Sequence, residues 1–221
     1  MPDDHASLAP LVWLENPRDT VSCAGPGAAK YLQSQLTQDV STMAVGEQLW
    51  SFLLAPTGKV DALVRVTRTA EESFDIDTDR GFLDVLEARL RRFMIRVDAS
   101  LSSCAGGPPG GVVGEAERVE ARWPRMGAEI VPGETIPAET GLLGVAVSFT
   151  KGCYPGQELV ERMDARGAVA RRRLVTVDVP QGTVTGDVVE DPAVGQVTVT
   201  TVVSGRALGW ARRGAAESAA G

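Results

Sequence analysis

Three residues with reactive side chains, Lys151, Cys153 and Tyr154, stand within four positions of each other, with Gly152 between them and Gly156 just after. A thiol acts as nucleophile or metal ligand through its thiolate. Thiolate is favoured by a nearby ammonium and by a helix N-terminus. The local pattern promises both. Val147 and Phe149 read as the end of a buried strand, and the glycines mark a tight loop. Pro155 suits the first turn of a helix, where its missing N–H costs nothing. Leu159, Val160 and Met163 then recur at helical spacing, with Gln157, Glu158, Glu161 and Arg162 around them. Cys153 is therefore expected just ahead of a helix start, with its pKa modestly below the free value of about 8.5 because Glu158 opposes the shift. Arg162 follows Glu158 by four residues. The two can pair along the helix, drawing the acid away from the thiol. The alternative is a cysteine simply buried in a glycine-rich turn.

The other two cysteines, Cys23 and Cys104, are far away in sequence, and the histidine count is one, His5. An odd, scattered set of cysteines is not a disulfide framework. Without a CxxC pair or a second histidine the chain cannot close a tetrahedral metal site from Cys and His. No stably bound metal is expected, and any metal chemistry must be transient, shared with a partner or indirect.

The 221 residues carry a net charge of −7, with 43% hydrophobic and 23% charged residues. That balance fits a globular protein and argues against general nucleic-acid binding. No apolar run reaches the roughly 18 residues needed to span a membrane. The start, Met1-Pro2-Asp3-Asp4-His5, is acidic where a secretory signal would be basic. The expected location is the cytoplasm.

The elements that must position the reactive stretch follow in chain order. Residues 1–10 read as a disordered tail. Strands are expected over 18–23, 49–54, 60–67, 73–77 and 95–101, and helices over 26–37 and 82–94. The loop 55–59, with Pro56 and Gly58, joins two of the strands as a hairpin. This β-α-β-β-β-α-β order predicts an α+β fold. Residues 105–111, Ala-Gly-Gly-Pro-Pro-Gly-Gly, read as a flexible connector. After the reactive stretch come Arg166 and Arg171 to Arg173, then strands over 174–179, 195–203 and 207–210, which suggest a small antiparallel barrel or sandwich. The expected division is 11–168, then a small C-terminal domain over 169–213, then a tail over 214–221.

Lys-Gly-Cys-Tyr-x-Gly-Gln-Glu followed by Arg162 closely resembles the signature of the YgfZ family, relatives of the glycine-cleavage T-protein. The resemblance extends from about residue 20 to 213. It takes in residues 32–40, similar to the first helix and turn of the T-protein superfamily, and residues 117–121, similar to an Ile/Leu-Glu-Ala-Gly segment. It implies a T-protein-like ring of α/β units around a central folate cleft, with a C-terminal β-barrel. It implies tetrahydrofolate or another folate as cofactor, and iron–sulfur client or assembly proteins as partners. In that superfamily the glutamate at the place of Glu120 grips the pterin ring. A carboxylate can accept two parallel hydrogen bonds from an aminopyrimidine edge; the plainer reading of Glu120 is a surface glutamate on a strand. Gln35 and Asp39 are further candidates for the cleft, against the plainer reading of a solvated helix end with an Asx turn. The sequence departs from the family at Arg122, where glycine is usual.

Three functions follow. The first is a tetrahydrofolate-binding accessory protein for iron–sulfur cluster assembly or repair, with Cys153 as the reactive or ligating thiol. The second is a folate-dependent aminomethyltransferase. The aligned place of its catalytic aspartate falls at Ala62, with Asp61 one residue earlier, and a one-residue slip in a strand turns the side chain to the other face. The third is a non-enzymatic interaction module with a vestigial folate pocket.

Overall fold

The computed structural model describes residues 18–106, 114–165 and 170–212. Seven elements build the first layer: β1 (Arg18–Ala24), α1 (Ala28–Gln33), β2 (Gln48–Leu54), β3 (Val60–Ala70), β4 (Ser73–Asp79), α2 (Leu83–Arg92) and β5 (Ser100–Cys104). Their five strands form an antiparallel sheet in the order β2-β3-β4-β1-β5. Period-two alternation buries Val21, Cys23, Ala62, Val64, Val66, Phe74 and Ile76 in one core with Ala28, Tyr31 and Leu32 of α1 and Leu86 and Leu90 of α2. The opposite face is polar, with Arg18 bound to Asp77 and Asp79, and Arg65 to Asp77. Asp19 ties the layer together. Its carboxylate accepts hydrogen bonds from the amides of Gly81, Phe82 and Leu83, where α2 begins, and from Gly106.

Between the sheets lie α3 (Glu115–Glu120), a 3-10 turn (Pro137–Glu139), α4 (Leu143–Ala146) and α5 (Gln157–Ala165). The C-terminal strands β6 (Arg172–Asp178), β7 (Val188–Asp191), β8 (Gly195–Val203) and β9 (Arg206–Arg212) form an antiparallel sheet ordered β6-β9-β8-β7. The expected barrel is not closed, since β6 and β7 stand at opposite edges. Four short strands are too few to close around a filled interior. Leu174, Leu208 and Trp210 pack on Val119 of α3. Arg118 anchors α3 further. It is 1% exposed and bonds Glu115, Glu129, the carbonyl of Trp123 and Thr201 of β8.

Four local expectations change. α1 stops at Gln33 rather than 37, because Leu36 pairs with Leu53 and the Thr37 amide donates to Phe52 at the edge of β2. An edge strand's unpaired groups outweigh the weak helix preference of Ser34 and Thr37. Residues 95–99 form no strand; Arg96 takes a left-handed φ of 55° and β5 begins at Ser100. The segment around Glu120 is helical. The expected strand at 147–149 is absent: Val147 is extended after α4, the Ser148 amide bonds the Thr37 carbonyl, and Phe149 is exposed. The connector expected over 105–111 lies mostly outside the described residues.

Candidate functional site

The signature loop is held at three points. Lys151 turns inward and is 9% exposed. Its Nζ donates to the carbonyls of Gln33 at 2.6 Å, Leu36 at 2.6 Å and Gln38 at 3.2 Å. These carbonyls cluster where α1 ends, and a helix end leaves its carbonyls without internal partners. Burial pushes the Lys151 amine down to about 8, against the pull of the Asp39 carboxylate. Tyr154, the second anchor, is buried with its ring 5.4 Å from Lys151 Nζ. Burial, and to a smaller degree Glu161, pushes its phenol up to about 12. Gly156 is the third. It has φ +83°, and a Cβ there would stand 2.6 Å from the Ala55 carbonyl and 2.8 Å from Gly58 Cα. Gly58, at φ +82°, leaves equally little room beside Leu159. Two backbones, 98 positions apart in sequence, therefore meet where neither tolerates a side chain.

Between the anchors the loop faces outward. Gly152 and Cys153 are exposed, and a Cβ on Gly152 would meet nothing within 4 Å. α5 begins at Gln157, so Pro155 lies in the turn before the helix rather than in its first turn. Gln157 donates to Glu161, while among the described residues no ion pair joins Glu158 and Arg162. Lys151 spends its charge on carbonyls, so the structure makes it a fastener of the loop. The other cysteines differ in setting: Cys23 is fully buried, which pushes its thiol up to about 11, and Cys104 is exposed.

The three residues assigned to folate are dispersed. Both oxygens of exposed Glu120 accept from Arg206, at 2.7 and 2.9 Å, and Arg206 also holds Asp178. Gln35 is buried and accepts from Arg89 while donating to Ser34. Asp39 accepts from the amide and hydroxyl of Ser41, bonds that lower its pKa. These partners fit a helix junction and an Asx turn; none is aimed into a shared cleft. Arg122 has φ 54°, and it closes α3 with the two bonds of a left-handed helix end, Arg122 N–H to Val119 and Trp123 N–H to Arg118. The family's glycine fits that φ without strain.

Asp61 sits at a β-bulge: Leu53 faces Ala62 and Leu54 faces Val60, leaving Asp61 unopposed. The bulge turns its carboxylate to within 3.4 Å of Arg89, while burial raises its pKa. On the polar face of the first sheet, Arg18, Trp50, Leu63, Asp79, Arg118 and Trp123 line a cleft of about 30 Å³. Trp50 and Trp123 meet edge to face at 4.8 Å. The cleft has aromatic walls but no room for a pteridine. Among the described residues no group of three or more His, Cys, Asp or Glu side chains is placed to hold a metal ion.

No family model matches the chain. Its fold matches that of the glycine cleavage system aminomethyltransferase T from Bartonella henselae, with a TM-score of 0.72 over 91% of this chain and 77% of that one, at 17% identity. In sequence it is 36% identical over 90 residues to the mitochondrial iron–sulfur cluster assembly factor IBA57 of Mus musculus, and 43% identical over 60 residues to the IBA57 homologue of Chaetomium globosum. The chain resembles the YgfZ family. A Haemophilus influenzae protein described as uncharacterized is 25% identical over 194 residues, covering 70% of this chain and 69% of that one. The matches to the two IBA57 proteins span only 25% and 14% of their lengths. At 17% identity the likeness to aminomethyltransferase T concerns the fold alone.

In this YgfZ-like chain the sequence pointed to Cys153, Lys151, Tyr154 and Gly156, and the fold brings them into one loop. Reading the sequence missed the receiving side. The carbonyls of Gln33, Leu36 and Gln38 carry no side-chain signature, and Gly58 read only as a hairpin glycine. Trp50 and Trp123 were not singled out. Their one signal was that tryptophans are scarce here, four in 221 residues.

Proposed function

We propose that this chain is an accessory factor for the assembly or repair of iron–sulfur proteins, acting through the thiol of Cys153. One observation carries the reading. Lys151 fastens the signature loop to three carbonyls while its neighbours Gly152 and Cys153 face solvent. A fixed, outward thiol can ligate an iron of a client's cluster or exchange with a client's disulfide. A single thiol supplies one ligand, so a cluster in transit takes its remaining ligands from the partner. The sequence likeness to proteins named as iron–sulfur cluster assembly factors supports the same direction. The test is the activity of iron–sulfur enzymes in cells lacking this protein and supplied with variants. Cys153→Ser is expected to fail and Cys104→Ser to succeed. Equal rescue by both would end the reading.

Tetrahydrofolate in a central cleft remains part of the proposal through the fold. Glu120, Gln35 and Asp39 do not fit a pterin in this arrangement, and no step is derived through folate. Among the described residues a suitable wall is the Trp50–Trp123 cleft, which must widen to take a flat ring. Tetrahydrofolate titration separates the cases. Affinity lost in Trp50→Ala and kept in Glu120→Ala supports binding at that cleft. The absence of saturable binding supports an interaction module with a vestigial pocket, which the Glu120–Arg206 pair favours.

A further inference from the structure

α2 ends in a turn whose side chains divide sharply. Phe93 and Met94 pack against the core, while Ile95 is 75% exposed, more than any other large hydrophobic residue described. The Ile95 amide bonds the Phe93 carbonyl at 3.0 Å and the Met94 amide bonds Arg91 at 3.2 Å, so the turn is closed rather than loose. Arg96 completes it in the left-handed region at φ 55°, an unfavourable conformation for a residue with a Cβ. The turn's own packing draws nothing from Ile95, and strain of this kind clusters at functional places.

Charge surrounds the exposed side chain. Arg91 is paired with Glu87. Arg92 lies over the Phe93 ring at 5.4 Å, and neither Arg92 nor Arg96 forms an ion pair among the described residues. Asp61, whose carboxylate feels Arg92, is bonded to Arg89 instead. A basic knob with an apolar tip thus stands on a chain of net charge −7.

We propose that this turn is a docking knob for a partner protein whose contact segment is acidic and apolar, its carboxylates meeting Arg92 and Arg96 and its apolar side chains covering Ile95. Guanidinium forks pair with carboxylates in two parallel bonds, which fixes orientation as well as attraction. A peptide segment touches only the knob. An anionic bilayer would also meet the field of a chain of net charge −7, which opposes adsorption.

The experiment uses the full chain and a fluorescein-labelled peptide, Glu-Glu-Leu-Leu-Glu-Glu, with its Lys-for-Glu counterpart as control, read by polarization at two salt concentrations. The wild type is expected to bind the acidic peptide, more weakly at high salt, and to ignore the basic one. Ile95→Ser is expected to weaken binding about tenfold or more, as burial of an isoleucine implies. Arg92→Glu with Arg96→Glu is expected to abolish it. These positions are exposed, and circular dichroism checks that the variants fold. Cys153→Ser is expected to bind as wild type does, which separates this proposal from the thiol reading. No binding by wild type, or equal binding by all variants, overturns it. Adsorption to phosphatidylglycerol vesicles lost in the same variants would reassign the knob to membranes. Concentration-dependent self-association lost in Ile95→Ser would reassign it to a second copy of this chain.

Discussion

Replacing Lys151 with methionine keeps the side chain's length and removes its ammonium. Two opposing effects follow. The variant loses three bonds, at 2.6, 2.6 and 3.2 Å, and leaves their carbonyls short of a donor, a loss of roughly 2–4 kcal/mol. It also escapes the penalty of holding a charge inside. The fall of the amine from 10.5 to about 8 corresponds to about 3 kcal/mol at 1.36 kcal/mol per tenfold. At pH 7 the two nearly cancel, so net stability should change by only about 1 kcal/mol. Their pH dependences differ. The folded-state pKa lies below the unfolded one, so the penalty is complete below pH 8 and is relieved as pH rises toward 10.5. The wild type should therefore gain on the variant by about 1.4 kcal/mol between pH 7 and pH 9, while titrations common to both cancel in the difference. Urea unfolding of both proteins at the two pH values measures it. Hydrogen exchange should show the Ser148 amide, which bonds the Thr37 carbonyl beside the lysine's anchor, losing protection in the variant even where global stability is unchanged. A stability difference independent of pH, or one moving toward the variant, would refute the picture of a buried charged fastener.

Gly156→Ala should destabilise by roughly 1–3 kcal/mol, because its Cβ would stand 2.6 Å from a backbone oxygen and φ is +83°; thermal unfolding checks this. Arg122→Gly should stabilise by about 1 kcal/mol by relieving a left-handed residue at the end of α3, read by urea unfolding. Arg118→Met should cost roughly 3–5 kcal/mol, since Glu129, with no exposed side-chain surface, would lose its ionic partner; chemical unfolding measures it. Cys23, buried and pushed up to about 11, should resist iodoacetamide at pH 8 in the folded chain while Cys153 reacts, as site-resolved mass spectrometry would show.

Much of the fold was legible because period-two alternation is a local signal. The strands at β1, β3 and β4 and the amphipathic α2 fall where their apolar residues recur. The misreadings share a cause in long-range contacts. Residues 34–37 look helical, yet they serve the edge of β2 because that edge needs partners. Residues 95–99 alternate like a strand but lie in the turn that lifts Ile95 into solvent. The short β7, Val188–Asp191, carries too few residues to show a pattern.

The sequence by itself determined the composition of the reactive loop. Cys153 stands among Lys151, Gly152, Tyr154 and Gly156, just ahead of a helical pattern. Tertiary structure alone decided what those residues do. Spacing places Lys151 two residues from the thiol, but the end of α1 and the turn after it, 113 to 118 residues away, offer three carbonyls to an ammonium, and the lysine turns to them. Glu120 has the residue type that grips a pterin, yet Arg206 reaches it across 86 residues and takes both oxygens. A charged side chain goes to the strongest partner within reach, and reach is set by the packing of sheets that no local window contains.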